Sequence, residues 1–414
     1  MEDARHHRRS GNSRRDQDCA PEQGACGLNA SWPSLAAGGK ARLAVAAIFF
    51  IHGFITGAWV PHIPLAQQRL DLDLAMFGLA LLALAAGAIA AMPVAGALVG
   101  RLGSARMTLI TGVFFSLTFP GPALAREIQT FVLALLAFGA AVGAMDVAMN
   151  AQGIAIERHI RRPAMSLFHG MFSLGAMSGA AASVPMLAHF SAKVHLAAAV
   201  TLALAVVGIS ASYLLPEKLN NSNGRGGFFA LPTRATIGLG SLCFVVLMAE
   251  GAVLDWSAIQ LKEKFNLQAH EAGLGYAMFA GGMAAARLAG DRLRSRFGST
   301  TLVRWSGLVL AIGMSAALAA THETVSIIAY GLAGLGIGNI APVLFGGGGR
   351  LEPDAPGRGV AAVVTLGYSG FVVGPPFIGL IGQSAGLSTA LGLIVVGGLI
   401  ISAAAKLAQA ADID

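Results

Sequence analysis

The sequence predicts an all-α polytopic membrane protein, with twelve transmembrane helices in two pseudo-symmetric six-helix bundles. Three observations lead there. The chain is 55% hydrophobic and only 12% charged, with a mean hydropathy of +0.67. Apolar runs of about 20 residues separate bunched charges, and the pattern of spans and turns repeats once. A soluble chain carries roughly a quarter charged residues. Runs of about 20 apolar residues cross the ~30 Å hydrocarbon core as helices. Strands are disfavoured because alternation of apolar and polar residues is absent.

The spans are expected at 42–64, 75–99, 106–125, 130–157, 163–189, 194–215, 235–261, 271–290, 299–320, 324–347, 357–382 and 386–408. Lys and Arg set their orientation. With the N-terminus inside, 23 of the 28 basic residues fall in the tails and inner loops, leaving Arg69, Arg126, Lys193, Lys262 and Lys264 outside. Both termini are therefore expected in the cytoplasm, in a multi-pass inner-membrane protein. The pI near 9.7 then reports topology rather than nucleic-acid binding. The basic stretch "RHHRRSGNSRR" at 5–15 is expected in a disordered cytoplasmic leader, 1–41, and lacks the apolar core of a secretory signal. Cys19, Cys26 and Cys243 lack metal-site spacing and imply no disulfide framework.

The polar, Gly/Asn-rich loop "PEKLNNSNGRGGFFALPTR" (216–234) divides the spans six and six. It gives a first bundle at 42–215, a cytoplasmic linker, a second bundle at 235–408 and a short tail at 409–414. The halves echo each other. "GALVGRLGSAR" follows span 2 as "ARLAGDRLRSRFG" follows span 8, and "RRPAMSLFHGMFSLG" opens span 5 as "GRGVAAVVTLGYSG" opens span 11. An internal repeat of this size points to a transporter with its site between the halves.

These turns resemble those of the major facilitator superfamily over roughly 42–408. The family's span 2–3 loop reads like G-x-x-x-D-R-x-G-R. Gly96, Arg101, Gly103 and Arg106 fit it, while Gly100 stands where the family has Asp. The span 8–9 copy keeps an acid, with Gly290, Asp291, Arg292 and Arg296. "DVAMNAQG" and the start of span 5 are further similar to the fucose-permease-like branch and its bacterial members. The resemblance implies a secondary-active transporter working by alternating access. A sugar or polyol-like solute and proton symport are expected; proton-coupled drug or metabolite efflux is the alternative. Drug antiporters of the superfamily carry Gly-Pro in span 5. Span 5 here, "GAMSGAAASVP", lacks it, which favours uptake.

Within span 4, Gly139, Gly143, Asp146, Asn150, Gly153 and Glu157 recur at intervals of 3 and 4 and share one helical stripe. A central aspartate costs about 2.5–3.5 kcal/mol on insertion. It is tolerated facing a cavity or partners, or by carrying a proton. Asp146 is thus the first candidate for proton coupling, and the fucose-permease-like branch also places an acid in span 4. Asn150, one turn away, is a candidate for solute contact.

His52, Thr56 and Trp59 share one face of span 1. His52 suits either a neutral hydrogen-bonded role or a proton relay. Thr56 and Trp59 are candidates for solute binding, Trp59 by stacking or as an interface anchor. Glu250 in span 7 is a second acid for coupling or gating, with Asp255 beside Trp256 a weaker one. Asn339 is expected at the depth of Asp146 in the other half. Tyr368 is expected to bond a solute hydroxyl, and Pro375–Pro376 to break span 11 as a hinge.

Arg101, Arg106, Asp291, Arg292 and Arg296 are expected to pair at a cytoplasmic gate. His169 sits too close to the inner end to bond Asp146 and reads as gate or helix–helix glue. No metal-ligand cluster, nucleophile elbow or nucleotide loop is found. An enzyme is not expected, nor a cofactor or metal. The partners implied are the solute, protons and the bilayer, with the protein a monomer.

Overall fold

The computed structural model describes residues 35–216 and 230–412. The leader to residue 34 (with Cys19 and Cys26), most of the linker and the last two residues lie outside them. The regular structure described is helical. The first half holds α1 (Leu35–Trp59), α2 (His62–Arg69), α3 (Leu74–Leu102), α4 (Ser104–Thr118), α5 (Pro120–Leu124), α6 (Ile128–Ile160), α7 (Met165–His189) and α8 (Ala192–Ala211). The second holds α9 (Ile237–Phe265), α10 (Ala269–Ala272), α11 (Leu274–Phe297), α12 (Ser299–Ala319), α13 (Glu323–Ile337), α14 (Ile340–Leu351), α15 (Pro356–Ala385) and α16 (Leu387–Ala403). A 3₁₀ segment, Ala405–Asp412, follows.

Ten helical stretches among the described residues are long and apolar enough to cross a membrane, and α16 with the segment after it makes an eleventh. The remaining long helix, α11, carries Arg287, Asp291, Arg292, Arg294 and Arg296. Its 24 residues still measure about 36 Å at 1.5 Å per residue, enough to span. Four of its five charges crowd the last two turns, where they reach the membrane surface. The molecule is thus a twelve-span bundle pair. Its basic end carries Arg101, Arg106, Arg161, Arg292 and Arg296, and α2 and α10 lie at the opposite end.

The repeat has one register throughout. Gly298 lies 195 residues after Gly103, and Asn266 lies 195 after Asp71; all four have positive φ. The same separation relates the starts of α12 and α4, of α13 and α6, and of α16 and α8. Equivalent helices also pack alike: α1 on α7 as α9 on α15, and α3 on α6 as α11 on α13. The halves meet along α3–α15 and α7–α11. At the first of these, helices cross where a side chain does not fit. A Cβ on Gly78 would lie 2.6 Å from the Pro375 carbonyl oxygen, and Gly379 is pressed onto the Leu74 carbonyl. The Trp256 ring, fully buried, lies under both glycines.

Three expectations need correction. α1 begins at Leu35, inside the stretch read as leader, and Lys40 lies 6.0 Å over the Tyr213 ring. α15 runs unbroken through Pro375 and Pro376, because the helix continues on both sides and packs closely against α3. The span expected at 324–347 instead breaks at Gly338–Asn339 into α13 and α14.

Candidate functional site

Spacing of four residues puts Asp146 and Asn150 on one face of α6, about 20 Å and 15 Å from its basic end. The Asn150 carboxamide donates to Asp146 Oδ1 at 3.1 Å and to the Asp146 backbone carbonyl at 2.8 Å. The Tyr368 hydroxyl of α15 donates to Asp146 Oδ2 at 3.2 Å, joining the two halves. No cation pairs with this carboxylate among the described residues. The rest of the stripe serves packing. Gly139 and Gly143 bring the α3 backbone close at Leu84 and Ala88. Glu157 Oε1 accepts from the N–H groups of Ala164 and Met165 at 2.6 and 2.9 Å, closing the start of α7.

A second polar group sits beside the first. Arg287 of α11, about 15 Å from the basic end of its helix, donates to Glu250 of α9 at 3.4 Å. It also donates to Ser173 Oγ of α7 at 2.6 Å and to the Gly338 carbonyl at 3.3 Å. The side chains of Arg287 and Glu250 are 10% and 18% exposed. Isolated charges at this depth are costly, and pairing with further hydrogen bonds offsets that cost. Glu250 also lies within electrostatic reach of Tyr368. The two groups therefore form one belt across α6, α15, α9, α11 and α7. In the repeat register Tyr368 is the mate of Ser173, so equivalent positions make the two cross-half contacts.

Of the expected site residues, Asp146, Asn150, Tyr368 and Glu250 come together in this belt, and His169 borders it within electrostatic reach of Arg287. His169 packs edge-on to Phe49 at 5.4 Å and makes no bond to Asp146. Thr56 donates to its own helix at the His52 carbonyl, 2.9 Å away. Asp291 accepts from Ser166 Oγ of α7 at 3.0 Å, a cross-half contact at the basic end. Asp255 is half-buried and makes no hydrogen bond among the described residues.

Other placements contradict expectation. His52 is 3% exposed inside the first bundle, 4.6 Å from Phe115 and 5.5 Å from Phe172 by ring centroids. Neither ring nitrogen has a partner among the described residues, and a relay needs one within hydrogen-bond reach. Trp59 is 2% exposed, packs edge-on to Phe138, and its Nε1 has no partner among the described residues. It is core, neither an exposed stacking platform nor an interface anchor. Asn339 lies against Gly290 of α11. The repeat mate of Asp146 is Ala341, so Asn339 is not its counterpart.

The gate arginines also differ from expectation. Arg101 and Arg106 are exposed and make no ion pair among the described residues. Gly100 supplies no acid, and Asp291 falls opposite Gly96, one turn away from Gly100. Arg292 is exposed and makes no ion pair among the described residues, and Arg296 lies over the Phe297 ring at 5.4 Å. The paired arginine there is Arg294, bonded to Ser299 Oγ at 3.0 Å and to the Ala411 carbonyl, and 3.9 Å from Asp412.

Sequence reasoning missed Arg287 and Ser173. Arg287 lies within α11 rather than in the turn after it, so it drops out of the 23 basic residues expected on the inner side. A depth count back from Phe297 flags it. Ser173 left no signal, since serines are common in spans.

The family model described as Major Facilitator Superfamily matches residues 45–233. Over 358 residues the chain is 35% identical to an uncharacterized MFS-type transporter of Yersinia pestis, covering 86% of this chain and 93% of that one. It is 32% identical over 364 residues to the membrane protein MosC of Rhizobium meliloti, covering 87% and 88%. Among solved structures, the nucleoside transporter NupG superposes with a TM-score of 0.67 at 13% identity, over 89% of this chain and 98% of that one. The E. coli fucose:proton symporter FucP gives 0.59 at 17% identity, over 89% and 98%. These last two similarities establish the fold.

Proposed function

The chain belongs to the major facilitator superfamily and is a multi-pass membrane transporter; from that premise we propose that it moves a small sugar or polyol-like solute across the inner membrane by alternating access, coupled to protons carried by Asp146. The two termini and the 216–234 linker face the cytoplasm, and the monomer is the working unit.

One observation carries the choice of Asp146. Of the two mid-depth acids in the belt, Glu250 has a guanidinium beside it, whereas among the described residues Asp146 has a phenol and a carboxamide and no cation. A carboxylate without a cation in a low-dielectric site is the one that gains most from binding a proton. Tyr368 reports its state across the halves: the phenol donates to the ionised carboxylate, while a protonated Asp146 competes with it as donor. A fucose:proton symporter shares the fold, which accords with this chemistry.

The test is solute-driven proton movement. Proteoliposomes holding the full chain and a pH dye are given L-fucose or myo-inositol outside, without an imposed gradient. Symport acidifies the lumen as solute enters. Lumenal alkalinisation would indicate antiport, and no change with saturable solute entry would indicate an uncoupled carrier.

A further inference from the structure

We propose that Arg287 and Glu250 form the solute subsite, with the Ser173 hydroxyl as the group the solute displaces, and that the subsite recognises a vicinal diol of a neutral polyhydroxyl solute. This rests on the transport reading above and goes further by separating solute recognition from the proton site at Asp146.

The argument starts from what the ion pair leaves undone. Glu250 meets Arg287 through one oxygen at 3.4 Å, longer than the ~2.7–2.9 Å of a good charge-assisted bond. Its Oε2 accepts nothing among the described residues. Arg287 spends three of its five N–H groups, on Glu250, Ser173 and the Gly338 carbonyl. Both side chains keep some exposure, 10% for Arg287 and 18% for Glu250. The pair therefore offers donors and acceptors side by side, a pattern that two adjacent hydroxyls complete: each accepts from the guanidinium and donates to the carboxylate.

Charge sets the solute class. A neutral diol leaves the Arg287–Glu250 balance intact. A carboxylate or ammonium on the solute would neutralise one partner and strand the other at a depth where unpaired charge is expensive. The tightest contact Arg287 makes is to a hydroxyl, Ser173 Oγ at 2.6 Å. That hydroxyl occupies the place of a solute hydroxyl and comes from the opposite half. Solute arrival competes with it, loosening a cross-half link as the site fills, which connects binding to movement of the halves.

The competition makes a prediction of unusual sign. Equilibrium binding of tritiated myo-inositol and L-fucose is measured on the purified full chain. Arg287→Lys and Glu250→Gln raise the half-saturating concentration about tenfold or more, equivalent to ~1.4 kcal/mol. Ser173→Ala lowers it about threefold, because a competing hydroxyl is gone. Asp146→Asn binds both probes within several-fold of wild type while losing proton coupling. If Glu250→Gln does not fold, Ser173→Ala still decides. Weaker binding by Ser173→Ala would make the triad structural glue and overturn the proposal. So would absence of saturable binding of both probes by the wild-type chain. Diol binding lost only in Asp146→Asn would place recognition at the aspartate and overturn it too. A wild-type chain that binds diols as expected but moves no protons refutes the coupling reading and leaves this subsite standing.

Discussion

Tyr368 of α15 donates its hydroxyl to Asp146 of α6 at 3.2 Å, so a mid-depth carboxylate that no cation pairs with among the described residues is held from the opposite bundle. Removing that donor tests whether the contact matters to the cycle. Hydrogen bonds to charged groups contribute ~1.5–3 kcal/mol. Tyr368→Phe is expected to lower proton-driven uptake at least tenfold in proteoliposomes, with the protein folded and monodisperse. Wild-type uptake by this variant would make the bond incidental.

His52 is predicted to be dispensable. It sits between Phe115 and Phe172 with both ring nitrogens unpartnered among the described residues, and a buried polar group left unsatisfied costs ~1–3 kcal/mol. His52→Leu should keep uptake within about twofold and raise the thermal midpoint of the purified protein, by an amount that follows from that range. Abolished uptake in a variant that melts normally would restore His52 as a relay.

The α3–α15 crossing predicts a conformational effect. The Leu74 N–H donates to Gln383 Oε1 at 3.1 Å just beyond Gly379, which is pressed on the α3 backbone. Gly379→Val cannot keep this approach and should spread the helices at the end opposite the basic one. The readout is disulfide cross-linking of Leu74→Cys with Gln383→Cys, expected to slow about tenfold when Gly379→Val is added, a ~1.4 kcal/mol shift in the closed population. Equal cross-linking in both backgrounds would show that the crossing does not close the pathway.

The C-terminal segment is predicted to fasten the second bundle. Asp412 accepts from the Ser299 N–H at 2.7 Å and from Ser299 Oγ at 2.6 Å, at the start of α12, where negative charge is favoured. The first half closes the equivalent place with Gln152, whose carboxamide donates to Ser104 Oγ and the Leu215 carbonyl at 2.8 Å each. Asp412→Ala should therefore destabilise the protein by ~1–3 kcal/mol, seen as a lower thermal midpoint. An unchanged midpoint would reduce this clasp to a surface contact.

The sequence made the bundle legible because hydropathy and charge bias act on every span at once. Asp146 was legible for the same reason, since a charge inside an apolar run stands out against its neighbours. Arg287 carries the same kind of signal but adjoins the basic turn at Asp291–Arg296, so it passed for a loop charge. Asn339 was misplaced because depth was counted along an unbroken helix. The break at Gly338 and the repeat register put Ala341, not Asn339, opposite Asp146. His52 and Trp59 share a face with Thr56 as spacing requires, but spacing does not say whether that face meets a cavity or the α4 and α6 aromatics. Partners across helices, such as Tyr368 for Asp146 and Ser173 for Arg287, are set by tertiary contact alone.

The central claim is that Asp146 gains and loses a proton in each cycle. Its most direct test is Asp146→Asn, which keeps much of the hydrogen bonding but cannot titrate. Proton-driven accumulation of solute is measured beside counterflow exchange in the same proteoliposomes. The account predicts that accumulation is lost while counterflow, which needs no net proton release, persists. Normal concentrative uptake by Asp146→Asn would contradict it and leave this aspartate a structural contact between α6 and α15.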